Sequence, residues 1–435
     1  MRRRVTFSRN LTLSLSRTCR CYCKYCAFAT HRAHLYEPEQ VLEILAGAER
    51  RHVKELLVLT GERPEVNAEV HARLRSYGHE DFTSYVVWTC ERALERGLLP
   101  HTNLGVLSRA DLERLREVTA SQGLMLESIS ERLLETVHAG SPTKHPQCRL
   151  ETIRAAGELK IPFTSGILVG IGESEQERMD SLAALAAVHA EHGHIQEVIL
   201  QNFVPHQSYY GREPARIADA AAREYWRSGV AEQRPALPLP AWACPVSVAD
   251  LKRLIAEARR LMPDVGIQVP PNLSDFWPEL VAAGASDLGG LSANGDHISP
   301  EHPFPSPHQV RRTLQRDGYA LTERLCVYPR YIDPEWLSPG VLDTIKVRYW
   351  SFIPRRGSGR TEPPAPIRAD LVAGAVKKAR DGVALDADEL TALFAETRAE
   401  AIEDMRQAAD ELRAELAGET VTFVVNRNIN VSNIC

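Results

Sequence analysis

The sequence predicts an α/β fold, a TIM-like (β/α) barrel with a C-terminal helical extension. Two observations carry this expectation. Short apolar runs alternate with longer stretches of helical period along most of the chain, the rhythm of strand–helix units about a parallel sheet. The units are also numerous and follow in series, which favours closure into a barrel and leaves an open doubly wound sheet as the alternative. With 435 residues the chain can bury one large core and still carry further helices.

In order, Leu11–Leu15, Leu56–Thr60, Leu98–Asn103 and Leu124–Glu127 read as strands, separated by helical stretches at Pro38–Arg51, Thr83–Glu95 and Ser108–Ser121. The rhythm resumes with helices over Arg149–Lys160, Glu175–His192 and Val248–Leu261 and strands over Phe163–Val169, Ile195–Gln201 and Ile267–Val269. Pro235–Pro245 and Gly290–Pro307 read as loops able to cover a site. Gly357–Pro366, rich in Gly, Pro and polar residues, reads as a linker. The expected division is a barrel domain over 1–356, a linker with an amphipathic helix over 357–420, and a third segment over 421–435 that opens on the strand Val421–Val425. The helix is expected to run unbroken over Asp386–Ala417. Asp386 and Glu389 are spaced as a capping box, Gly418 is its stop, and Leu390, Leu393, Phe394, Met405, Leu412 and Leu416 fall on one face.

Hydrophobic residues make up 44% and charged residues 25% of the chain, which excludes a disordered or membrane-embedded class. A net charge of −5 supplies no general pull toward nucleic acid, so a small-molecule substrate is expected. The stretch after Met1-Arg-Arg-Arg4 is too polar for a signal peptide, and no run approaches the roughly 18 apolar residues of a membrane span. The expected location is the cytoplasm. Of nine cysteines, four crowd into Cys19–Cys26 and the rest lie scattered, which fits one metal site in a reducing compartment rather than a set of disulfides.

Cys19, Cys23 and Cys26 form C-x3-C-x2-C immediately after a short strand. Three thiolates from one tight loop can bind three irons of a four-iron cluster and leave the fourth open to a ligand. Structural zinc is the competing chemistry, with Cys21, His31 or His34 as the fourth ligand, although its usual paired C-x2-C arrangement is absent. Cys21 is expected to point away while Cys19 and Cys23 both bind. Three further motifs follow in order at strand ends, where barrel enzymes place their chemistry: Leu57-Val-Leu-Thr-Gly-Glu62, Leu124-Met-Leu-Glu-Ser-Ile-Ser130 and Phe163-Thr-Ser-Gly-Ile-Leu-Val-Gly-Ile-Gly-Glu173.

The cysteine loop, with Tyr25 before its last cysteine, resembles that of the radical S-adenosylmethionine superfamily. This resemblance implies a 4Fe-4S cluster on Cys19, Cys23 and Cys26, with S-adenosyl-L-methionine filling the open iron. It further implies that Thr60, Gly61 and Glu62 receive the cofactor's ammonium and that Glu127 and Ser128 touch its ribose or carboxylate. Gly166, Leu168, Gly170 and Glu173 match the superfamily's G-x-[IL]-x-G-x-x-E strand, which lines the adenine.

Longer segments resemble the first half of the FO synthase family, whose members make 7,8-didemethyl-8-hydroxy-5-deazariboflavin, the chromophore of coenzyme F-420. They include Tyr25-Cys-Ala-Phe28, Leu59-Thr-Gly-Glu-Arg-Pro-Glu65, Leu99-Pro-His-Thr-Asn103, Gly123-Leu-Met-Leu-Glu-Ser128, His138-Ala-Gly-Ser-Pro142 and Pro270-Pro-Asn-Leu-Ser274. The resemblance implies radical-mediated cyclisation, with loss of ammonia, of an adduct between a tyrosine-derived hydroxybenzyl group and a ribitylaminouracil. His101, Asn103, Gln201, Asn202, Asn272, Ser292 and Asp296 are the candidates for holding that substrate. Cys21 and Ala293-Asn-Gly295 depart from the family pattern. Residues 426–435 resemble the opening of the second radical domain of fused family members, with Cys435 as the first cysteine of its loop. The implied partners are therefore a second radical half or subunit and a reducing electron donor.

Overall fold

A computed structural model describes residues 3–51, 53–205, 239–291, 304–353, 369–396 and 398–418. They belong to two compact units, Met1–Pro354 and Arg355–Cys435.

The first unit is built on ten strands: β1 Arg3–Ser8, β2 Asn10–Leu13, β3 Glu55–Leu59, β4 Leu99–Asn103, β5 Ser121–Gly123, β6 Phe163–Val169, β7 Ile195–Asn202, β8 Gly266–Gln268, β9 Asp287–Gly290 and β10 Tyr319–Arg324. All pair in parallel, in the order β10-β1-β9-β8-β7-β6-β5-β4-β3-β2. Only Arg9 separates β1 from β2. The strand beside β9 and the strand beside β3 are thus consecutive parts of one segment, and the sheet curls round on itself as a TIM-like barrel.

Alternation along each strand divides its side chains between the two faces. On β3, Leu56 and Val58 join the outer core against the helices, whereas Glu55, Leu57 and Leu59 face the lumen. On β7, Val198 and Leu200 pack outward and Glu197, Ile199 and Gln201 face inward. Every residue of β6 is buried: Phe163, Ile167 and Val169 sit in the outer core and Thr164 in the lumen wall. At Gly166 a Cβ would stand 2.3 Å from the Ile199 carbonyl oxygen, so glycine there lets β6 and β7 pair closely.

The outer helices begin where the sequence supplies caps. Capping boxes open Phe82–Glu95, Arg109–Arg116, Glu175–His192, Val248–Leu261 and Pro307–Arg316. The elements over Phe163–Val169, Glu175–His192 and Val248–Leu261 stand where periodicity puts them. The strand expected at Leu124–Glu127 lies at Ser121–Gly123 instead, because its ladder partners are His101 and Thr102 on one side and Phe163 and Thr164 on the other. Strands β9 and β10 and the helices Ala68–Ser76, Trp277–Ala282, Pro307–Arg316 and Pro339–Arg348 add to the expected set.

The described part of the second unit holds three helices, Ala369–Arg380, Ala387–Ala395 and Ala399–Ala417. The expected single helix over 386–417 is therefore two. Asp386 opens the first with its capping box, and Gly418 ends the second at φ 61°. Between them Glu396 and Arg398 are extended, and the Glu396 carboxylate accepts from the Arg398 amide at 2.8 Å, a local bond that competes with helix continuation. The expected strand 421–425, the rest of 421–435 and the linker 357–366 lie outside the described residues, as do 235–238 and 292–303 of the two expected covering loops. Among the described residues no helix is long and apolar enough to cross a membrane.

Candidate active site at the C-terminal end of the barrel

The loop after β2 carries the cysteines, and its neck is zipped. The Cys19 amide donates to the Thr30 carbonyl at 3.0 Å and the Thr30 amide to the Arg17 carbonyl at 2.9 Å. The Arg20 amide donates to the Glu62 carbonyl at 3.0 Å and the Lys24 amide to the Val137 carbonyl at 2.9 Å, tying the loop to the ends of two further strand–helix units. Cys19, Cys23 and Cys26 then line one open cavity together with the ends of β3, β6 and β7.

Backbone amides already point at these sulfurs. Cys19 Sγ accepts from the Glu62 amide at 3.2 Å and the Cys21 amide at 3.4 Å, and Cys26 Sγ from the Ala29 amide at 3.4 Å. Amide donors favour the thiolate over the thiol and suit cluster ligation. Among the described residues no trio of His, Cys, Asp or Glu is drawn together around a single metal ion. His31 Nδ1 instead meets the Cys19 carbonyl at 3.0 Å, and His34 Nδ1 accepts the Arg17 amide at 3.1 Å; both rings brace the loop. Cys21 does not point away as expected. The loop is not extended, so strand alternation does not apply, and Cys21 is buried in the same cavity wall with its sulfur 3.2 Å from Thr143 Oγ1. Its thiol bonds to the Cys19 sulfur, which pulls Cys19 down and pushes Cys21 up to about 11.

The end of β3 forms the adjoining wall through Thr60, Gly61 and Glu62. The Gly61 amide donates to the Ser16 carbonyl at 2.7 Å, and a Cβ at Gly61 would stand 2.0 Å from the Thr18 carbonyl oxygen. A Gly61→Ala substitution is therefore expected to push the cysteine loop off β3 and to cost about 1–3 kcal/mol of stability, measured by denaturant unfolding alongside iron content. Glu62 is buried and accepts from Arg20 Nε at 2.8 Å and the Val106 amide at 3.1 Å, and also from the Thr143 hydroxyl. Burial pushes its carboxyl up, yet Thr143, Arg149, the Val106 amide and Arg20 together hold it below the usual carboxylate range.

Asn103, Glu127, Leu168, Gln201 and Asn202 complete the expected residues in this cavity, together with Tyr25. Glu127 adopts φ 65°, a left-handed conformation that costs a residue with a Cβ and persists where surroundings enforce it. Its carboxylate accepts from Lys144 Nζ at 2.6 Å and lies 3.8 Å from Arg149. Lys144 and Arg149 also line the cavity; sequence reasoning passed over both, since they reach Glu127 from a later helix start and carry no periodic signal. Lys144 lies over the Tyr25 ring at 5.5 Å.

Four expected cofactor residues are not among those that line this cavity. Ser128 accepts the Ser130 amide at 3.2 Å and stabilises its own turn. Gly166 spaces β6 from β7. Gly170, at φ 98°, lets the chain turn beneath residues 244–246, where a Cβ would stand 2.6 Å from Val246. The Glu173 carboxylate accepts the Gly170 and Ile171 amides at 2.7 and 2.8 Å and pairs with Arg178 at 2.6 Å, so its bonds are spent within its own turn.

A second cavity occupies the barrel lumen beneath the first and shares Leu59, Asn103, Met125, Gln201 and Leu273 with it. His101, Asn103, Gln201 and Asn272 line this lumen. Asn202 lies in the upper cavity only, its amide donating to the Leu273 carbonyl at 3.1 Å. Ser292 and Asp296 lie outside the described residues.

A parallel barrel that gathers three loop cysteines beside strand-end residues at its C-terminal mouth defines the class of the radical S-adenosylmethionine enzymes. The profile of the Radical SAM superfamily matches residues 13–185. The fold is similar to that of the FeFe-hydrogenase maturase HydG from Carboxydothermus hydrogenoformans, with a TM-score of 0.55 at 17% identity over 95% of this chain and 79% of that one. The chain is 40% identical to 7,8-didemethyl-8-hydroxy-5-deazariboflavin synthase of Methanothermobacter thermautotrophicus over 80% of its own length and 99% of the relative's. It is 37% identical to that of Methanocaldococcus jannaschii over 80% and 90%. The chain belongs to the 7,8-didemethyl-8-hydroxy-5-deazariboflavin synthase family, and its cofactors are a 4Fe-4S cluster and S-adenosylmethionine.

Proposed function

We propose that this chain performs the ring-closing, ammonia-releasing half of deazaflavin synthesis, a carbon–nitrogen lyase acting on the hydroxybenzyl–ribitylaminouracil adduct. The observation that carries the reading is 40% identity across 99% of a relative bearing the synthase's name; the cysteine-lined cavity opening into a polar lumen supports it. When bound, the cluster and S-adenosylmethionine supply the hydrogen-abstracting 5′-deoxyadenosyl radical. The protein's own residues hold, orient and enclose. Cys19, Cys23 and Cys26 hold the cluster. Thr60, Gly61 and Glu62 would hold the cofactor's ammonium and Glu127 its ribose, with Tyr25 and Leu168 lining the same cavity. His101, Asn103, Gln201 and Asn272 receive the substrate below, where the lumen excludes bulk water from a reactive radical.

Partners in this reading are a second radical half or subunit that makes the adduct and a reducing electron donor. Its setting is the cytoplasm, with no nucleic acid and no membrane involved. The test is stoichiometry: deazaflavin, ammonia and 5′-deoxyadenosine are expected in equal amounts from the purified adduct, and product without ammonia release contradicts the lyase assignment.

Glu62→Gln is expected to keep the cluster and weaken S-adenosylmethionine binding by about 10–100-fold, the loss of one charge-assisted hydrogen bond, read by equilibrium dialysis. Because the folded carboxyl sits below its usual value, the ionised form is the native one. Its contribution to folding is then present above about pH 4 and lost as pH falls further.

A further inference from the structure

The floor of the lumen concentrates groups the cofactor does not need. Arg324 is buried and bidentate to Asp287, with Nε to Oδ2 at 2.6 Å and Nη2 to Oδ1 at 2.8 Å, and its Nη2 also reaches Glu197 Oε1 at 2.8 Å. Glu55 and Glu197 line the cavity beside it. Three buried carboxyls thus face one guanidinium. Burial and the Asp287 carboxylate push Glu197 well up against the pull of Arg324, and burial pushes Glu55 up against Ser8 and Arg324.

Two acceptors stand near them. The Ser121 hydroxyl donates to the Cys326 carbonyl at 2.9 Å, so toward His101 Nδ1, 2.7 Å away, it can only accept. The His101 proton therefore sits on Nδ1 and leaves a lone pair on Nε2. Gly123 keeps that nitrogen accessible, since a Cβ there would stand 3.0 Å from it. Burial, and Arg324 after it, lower His101 to about 4, which keeps the ring neutral. Asn10 lines the same cavity, and its Oδ1 is buried with no partner among the described residues.

Strand pairing sets these groups side by side. Asn10 stands beside Glu55 across β2 and β3, and Thr164 beside Glu197 across β6 and β7, all lining the lumen. Leu57 and Ile199, two residues further along β3 and β7, place apolar side chains between Glu55 and Glu197 and the mouth, where the cysteine-lined cavity lies. A ligand reaching the floor needs a neutral end rich in hydroxyl donors, and a flatter, less polar body. Arg324 is already paired with Asp287 and bonded to Glu197 and the Leu325 carbonyl, and among the described residues no other Lys or Arg lines this cavity, so a phosphate finds no unpaired cation there.

We propose that Asn10, Glu55, His101 and Glu197 form a binding site for an unphosphorylated polyhydroxyl chain, which anchors the substrate with its ring end toward the cluster. The site rests on the deazaflavin-synthase reading and adds an orientation and a specificity to it. Ribityl hydroxyls donate to His101 Nε2 and Asn10 Oδ1 and meet the carboxyl oxygens of Glu55 and Glu197 opposite.

The test measures binding of three pyrimidines to the reconstituted full chain under anaerobic conditions by calorimetry: one with a ribityl chain, one with a plain pentyl chain, and one with a ribityl chain phosphorylated at its end. The ribityl form is expected to bind at least about tenfold more tightly than either other form, as one or two hydrogen bonds imply. His101→Phe and Asn10→Leu are expected to erase most of that preference. Iron content and circular dichroism check that both fold, and Gly123→Ala, one methyl group beside Nε2, reads the His101 contact if either does not. Equal binding of all three forms by a chain that still makes deazaflavin overturns the floor assignment alone. Failure of the chain to bind any of them overturns it together with the functional reading.

Discussion

Cys23→Ala is expected to remove the iron–sulfur chromophore and reduce deazaflavin formation to background, whereas Cys21→Ala keeps both. In the proposed ligation the cluster would draw its three thiolates from one loop, and Cys19, Cys23 and Cys26 line one cavity. Loss of any one leaves two, too few to hold three irons. Cys21 shares the wall, but its sulfur is engaged with Thr143 at 3.2 Å and with Glu62 at 3.8 Å. Iron and sulfide content with visible absorption reads both variants after anaerobic reconstitution. Cluster loss in Cys21→Ala would overturn the ligand assignment.

Glu173→Ala is expected to destabilise the first unit by roughly 3–5 kcal/mol, because it removes one partner of a buried ion pair and strands two amides. The carboxylate accepts from the Gly170 and Ile171 amides and from Arg178, and both charged side chains are almost fully buried. Denaturant unfolding measures the loss. Glu173→Gln, which keeps the shape and part of the bonding, is expected to lose about half as much. A variant as stable as the parent that loses S-adenosylmethionine affinity would instead place Glu173 in the cofactor site.

Much of the barrel was legible because parallel strands with one helix-packed face and one lumen face write apolar runs at short intervals, as in Phe163–Val169 and Ile195–Asn202. Strand β10 was not, since Tyr-Ala-Leu-Thr-Glu-Arg is mostly half-buried at the sheet's edge and forms no apolar run. The cysteine spacing and Thr60-Gly-Glu62 pointed to the cavity because both lie immediately after strands. Lys144 and Arg149 stayed hidden because their partner Glu127 lies 17 residues from Lys144, a contact that only the fold creates. The glycines of β6 were visible as a pattern, but the pattern does not say whether the freed space serves a ligand or a neighbouring strand; at Gly166 it serves Ile199. Polar residues at inward strand positions, Glu55, His101 and Glu197, become meaningful only once closure of the sheet puts them in one lumen.

Loaded with its cluster, this chain is proposed to convert the hydroxybenzyl–ribitylaminouracil adduct to the deazaflavin. The decisive experiment is anaerobic reconstitution with iron and sulfide, followed by reduction with S-adenosylmethionine in the presence and absence of the purified adduct. Fluorescent deazaflavin and 5′-deoxyadenosine are expected to rise together only when the adduct is present. A brown, cofactor-cleaving protein that forms no deazaflavin from the adduct would contradict the proposal.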